Sequence, residues 1–154
     1  MKKKPLSIQQ HLCIAPELHS IKNFLQHLYI NIEKHYLKNS AAVKQSMRLY
    51  QAACDLISEL DNHLFRDNPG IPTEAAGIYY PGKDRSFDEV KAKELAMMFE
   101  ANAGIGKLIG VQKIEAIEQT LIDAFKKYDA ETVRQGYGLY LTKVLTEKAC
   151  NCGN

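Results

Sequence analysis

The chain has 154 residues, of which 45% are hydrophobic and 25% charged, and a formal charge of +2 at pH 7. That length suits one domain spanning 1–154 and able to bury roughly 70% of its unfolded surface, and the composition excludes wholesale disorder. The charge balance makes nucleic acid an unfavoured partner, because such binders carry a stronger or clustered basic bias, whereas the 20 Lys and Arg are spread along every segment.

Lys2, Lys3 and Lys4 read as a solvated start, with residues 1–6 and 150–154 as flexible tails. The next stretch, PLSIQQHLCIA, is broken by Gln9, Gln10 and His11, so it lacks the apolar run of about 7 to 15 residues that a signal peptide needs. The same lack argues against a lipoprotein reading of Cys13. No run of about 18 apolar residues exists, which argues against a membrane span. Four cysteines, with Cys13 and Cys54 inside helical patterns, do not resemble a secreted disulfide framework. The expectation is a soluble, cytoplasmic protein.

Ser7-Ile-Gln-Gln10 has the form of a capping box and should open a short helix through Ile14. Pro16 disfavours helical geometry at Ala15 and suits the first turn of a new helix, so a kink and restart are predicted there. Leu18, Ile21, Leu25, Leu28, Ile32 and Tyr36 then recur at helical spacing, with Phe24 and Tyr29 at the margins of the stripe. After Lys38-Asn39-Ser40, too short a connection for anything but an antiparallel return, comes the most informative stretch, Ser40 to Phe65. At about 100° per residue its apolar positions cover roughly half the helix circumference. That arc is wide enough for two packing neighbours.

Residues 66–85 change character, with prolines, glycines and no periodicity, and read as a long loop, a class of segment that is commonly functional. A second capping box, Ser86-Phe-Asp-Glu89, opens the next helix. The apolar residues of that helix, from Val90 to Ala101, go nearly all the way round, so it should be well buried. Gly104-Ile-Gly106 breaks the chain. Val111, Ile114, Ile117, Leu121, Ile122, Phe125 and Tyr128 define the next stripe, Asp129 is an N-cap candidate, and Val133, Tyr137, Tyr140, Leu141, Val144 and Leu145 define the last. The fold class is all-α: an antiparallel bundle of four long helices plus a short N-terminal one.

No motif specifies a chemistry. Glu118, Arg134 and Asp61 each interrupt an apolar stripe, and their convergence would make an internal ligand-binding or catalytic site, as bundles build between helices. Ordinary positions at the edges of their stripes account for them more simply. His11, His19, His27 and His35 recur every eight residues, which advances about 80° per step, so they share no face. Asp55, Glu59 and His63 do share one, but the Glu-x-x-His element of di-iron bundles is absent. Cys150-Asn-Cys152 lacks both zinc spacing and a second ligand pair, and Gly104-Ile-Gly-Lys107 lacks P-loop spacing. No catalytic residue, metal or cofactor is therefore assigned.

Tyr79-Tyr80-Pro81 offers amphipathic surface of the kind enriched in binding hot spots, or equally a loop pinned over the bundle by two aromatics. Gly136-Tyr-Gly138, flanking Tyr137 inside the last helix, suggests a close approach by another backbone, such as one across a subunit interface. A non-enzymatic interaction role, as adaptor, regulator or small subunit with a protein partner, ranks first. Self-association is expected from the width of the apolar arcs. An internal ligand site ranks second and a small nucleic-acid-binding subunit third.

Overall fold

The computed structural model describes residues 3–81, 88–104 and 111–151, and among them it contains helices and no strand. The chain divides into two compact units, Met1–Pro69 and Gly70–Asn154.

The first unit is a helical hairpin. Helix α1 runs Ile8–His35 and α2 runs Ala41–Asp67. The predicted capping box closes as expected: Gln10 N–H donates to Ser7 Oγ at 3.3 Å and Ser7 N–H donates to Gln10 Oε1 at 2.9 Å. The predicted restart at Pro16 does not occur, since α1 is continuous through it. Proline removes one backbone donor, while α1 is held on both sides of that point by the burial of Leu12, Ala15 and Leu18. Packing therefore outweighs one lost hydrogen bond. Ser20 Oγ donates to the Pro16 carbonyl at 3.0 Å.

A short turn, with Ser40 N–H bonded to the Leu37 carbonyl and Ser40 capping α2 through Val43, folds α2 back along α1. The buried side chains are Ile8, His11, Leu12, Ala15 and Leu18 from α1, with Val43, Ser46, Ala53, Ile57 and Leu64 from α2. Most of these lie toward the open end of the hairpin. Halfway along α1 the stripe read from the sequence is only partly covered: Leu25, Leu28 and Ile32 are half-buried, whereas Ile21 is 50% exposed and Phe24, at the margin of the stripe, 66%.

The second unit holds a 3-10 helix, Thr73–Ile78, then α3 (Glu89–Ala103), α4 (Val111–Phe125) and α5 (Ala130–Asn151). The stretch expected to be a structureless loop is thus shortened at both ends, because α2 extends to Asp67 and the 3-10 helix packs on α5. Ala75, Ile78 and Tyr79 anchor it. A Cβ at Gly77 would come within 2.8 Å of the Ala130 side chain, so a larger residue there would hold the two elements apart.

Asp88 caps α3 by accepting from Lys91 N–H; Ser86, the cap read from the sequence, lies outside the described residues, as do Gly106 and Lys107. Helix α3 is buried on one face only, through Ala92, Leu95, Phe99 and Ala103, while Val90 and Met97 on the opposite face are 66% and 68% exposed. The all-round burial expected of this helix is therefore not found. Gly104 ends it at φ 66°, a conformation that favours glycine. The Gly104 carbonyl accepts from the buried Tyr140 hydroxyl at 2.7 Å.

The core of this unit is aromatic. Phe99 lies 5.4 Å from both Tyr137 and Tyr140, centroid to centroid. Gly136 makes the close contact of α3 and α5 possible, because a Cβ there would meet Leu95 at 2.9 Å, whereas Gly138 faces open space. Asp129 caps α5 as predicted, accepting from Thr132 N–H at 3.0 Å. Lys143 on α5 pairs with Glu100 on α3 at 2.6 Å.

Candidate functional site

The residues singled out from the sequence separate by environment. Arg134 is committed on its own helix, donating from Nε and Nη2 to the Glu131 carboxylate at 3.1 and 2.5 Å. Glu118 is half-buried and makes no ion pair with Arg134. The core face of α4 runs through Ile117, Thr120, Leu121 and Ala124, so Glu118 stands at its margin. Counting large apolar residues alone had drawn that face too far around the helix, because it left out the small Thr120 and Ala124. Tyr79 and Tyr137 are buried in the second unit and present little surface to a partner, whereas Tyr80 is 53% exposed and Pro81 half-buried.

Asp61 belongs to the first unit. Its Oδ1 is buried without a hydrogen-bond partner, and burial pushes its carboxyl above the ordinary range. Among the described residues no group of three His, Cys, Asp or Glu side chains is arranged to hold a metal ion. Cys13 is exposed, and Cys152 together with the Cys150 side chain lies outside what is described. No helix among the described residues is long and apolar enough to cross a membrane.

The most distinctive surface is one that sequence inspection did not assemble. His11 on α1 lies within electrostatic reach of His63 and Asp67 on α2, and this sets the register of the hairpin. Stepping along both antiparallel helices from there brings Phe24 level with Ala52. At about 100° per residue, Ile21 and Leu28 lie roughly a third of a turn from the buried stripe of α1 and Phe24 nearly half a turn, while Leu49 and Leu56 lie roughly a quarter turn the same way from that of α2 and Ala52 somewhat further round. In antiparallel helices, equal offsets fall on the same face. One side of the hairpin therefore carries an apolar patch made by Ile21 of α1 with Leu49 and Leu56 of α2, and Phe24 and Ala52 continue it onto the outer faces of the two helices. Ile21 and Phe24 are 50% and 66% exposed, Leu49 and Leu56 are 54% and 47% exposed, and Ala52 is exposed beside them.

Charge is polarised along the outer edge of α2 beside this patch. Lys44 and Arg48 lie toward its start, Asp55 and Glu59 toward its end. Lys44, Arg48 and Glu59 have no ion-pair partner among the described residues, and Asp55 only accepts from Gln51 at 2.9 Å. The signal was present in the sequence as a half-circumference arc on α2. Its meaning depended on which half of the arc α1 would cover.

No protein-family model matches the chain, and neither the curated proteins nor the solved structures contain a match to it.

Proposed function

We propose that the chain is a non-enzymatic interaction module that self-associates through the α1–α2 hairpin. The observation that carries this is the exposed patch of Ile21, Phe24, Leu49, Ala52 and Leu56 beside a lengthwise charge gradient. Contiguous exposed apolar surface rimmed by polar residues marks interaction sites. Within its own unit the hairpin has no third or fourth helix, and a second hairpin supplies both, giving a four-helix bundle.

The charge gradient argues for a second copy in one orientation. A two-fold axis perpendicular to the helices, passing near Ala52, lays each α2 antiparallel on its counterpart. Leu49 then meets Leu56 of the other copy, the small Ala52 lets the axes approach, and Arg48 faces Glu59 across the rim on both sides. The parallel arrangement would set Arg48 against Arg48. The apolar patch supplies the affinity, and the rim charges select orientation more than they add strength.

Sedimentation equilibrium over a wide concentration range tests the reading. The wild type should dimerise, and Phe24→Glu or Leu49→Glu should leave monomers with unchanged helicity. Arg48→Glu and Glu59→Arg should each weaken the homodimer, yet mixed in equal amounts they should recover wild-type association, because the mixed dimer restores both ion pairs. A wild-type monomer at every concentration, or a mixture no tighter than its components, would overturn it.

A further inference from the structure

At the open end of the hairpin, the residues before α1 and the last turn of α2 line an open cleft of about 460 Å³. Lys3, Lys4, Pro5 and Leu6 line one side; Leu60, His63, Arg66 and Asp67 line the other. Lys3 and Lys4 are exposed on the rim of this cleft, and nothing local in the sequence ties them to residues some 60 positions away.

We infer that this cleft binds a small phosphate monoester whose organic part is apolar. The chemistry of its walls supports each half of that description. Lys3, Lys4 and Arg66 supply three cations against one carboxylate, Asp67, leaving a surplus that matches the charge of roughly −1.5 to −2 on a phosphate monoester near neutral pH. A carboxylate ligand would leave part of that surplus unmatched.

Asp67 does not compete for the ligand; it positions the cation. Its Oδ1 accepts from Arg66 Nε at 3.1 Å and its Oδ2 lies 3.1 Å from His63 Nδ1. The Arg66 guanidinium also contacts the His63 ring through Nη2. The fork is thereby held on one edge, and Nη1 remains for a phosphate oxygen, the geometry in which Arg is most effective. Pro5, Leu6 and Leu60 form an apolar wall with no polar group to satisfy, so it favours a ligand carrying a hydrocarbon or aromatic body over a bare ion. The start of α1 and the end of α2 lie at this same end with opposed dipoles, so helix-end effects largely cancel and the side chains decide the sign.

The inference is independent of dimerisation. Titrating the intact protein with phenyl phosphate, inorganic phosphate and phenol, followed by amide chemical shifts, separates its parts. Phenyl phosphate should bind most tightly, shift the amides of residues 3–6 and 60–67, and weaken as salt rises. The double variant Lys3→Gln/Lys4→Gln, which removes exposed side chains and leaves the hairpin core untouched, should weaken it about tenfold, and Arg66→Gln by at least as much. Three results would overturn the inference: phenol binding as well as phenyl phosphate, inorganic phosphate binding as well as phenyl phosphate, or no loss of affinity in the lysine double variant.

Discussion

The two units use long amphipathic helices in opposite ways. In the Gly70–Asn154 unit, α3 packs against both α4 and α5, and the 3-10 helix packs on α5, so Tyr79, Leu95, Phe99, Leu121, Phe125, Val133 and Tyr140 are all fully enclosed. In the Met1–Pro69 unit two helices of nearly twice the length of α3 face each other alone. Among the described residues of that unit, only Ile8, His11 and Leu64 are large side chains enclosed to the same degree. A helix with one neighbour can hide one stripe. When its apolar arc spans half its circumference, the remainder stays exposed, here Ile21, Leu49 and Leu56 on one side of the hairpin and Ile30 and Met47 on the other.

This contrast sets the order of the mutational effects. Phe99→Ala should be the most costly, by about 3–5 kcal/mol, since Phe99 is 0% exposed and stacks near two tyrosines. Leu49→Ala, of comparable apolar character but 54% exposed, should stay within about 0.5 kcal/mol. Urea unfolding of both variants, at concentrations low enough to keep the chain monomeric, measures the difference; equal losses would mean that Leu49 is packed after all.

A smaller effect distinguishes two glycines on one helix. Gly136→Ala forces a Cβ to within 2.9 Å of Leu95 and should destabilise by about 1–3 kcal/mol through overpacking. Gly138→Ala, with open space around it, should stabilise by up to about 1 kcal/mol through helix propensity. Thermal unfolding should show the two variants moving to opposite sides of the wild type.

The smallest effect concerns Asp61. Burial raises its folded-state pKa above the unfolded value, so ionisation is penalised in the folded chain. Its contribution to stability is complete below the unfolded pKa and is lost as pH rises through the folded one. Asp61→Asn should therefore be more stable than wild type near neutral pH, with the gap closing in acid. Taking the difference between the two proteins isolates this residue from Asp67, Asp88, Glu89 and Asp123. Their partners lower their pKa values, so they act in the opposite direction, losing stability as pH falls.

Legibility from the sequence followed the range of the interactions. The caps at Ser7 and Asp129 were readable because a side chain and the backbone donor it satisfies lie three residues apart. The rotation of each helix was less so. On α4 the buried face includes Thr120 and Ala124, and on α1 it includes His11 and Ala15, small or polar residues that a hydrophobic count passes over but that let neighbouring helices approach. Arg134 looked misplaced on its stripe, although Glu131, one turn away, accounts for it. Lys3 and Lys4 gave no hint of Arg66.

Helical periodicity, capping residues and the width of the apolar arc on α2 are local properties, and the order of residues alone determined them, because the backbone repeat makes neighbours of positions three and four apart. Which part of each arc is covered, and which exposed remnants line up across two helices, required the tertiary structure. Those facts depend on the register between segments distant in the chain, and no spacing within either segment encodes it.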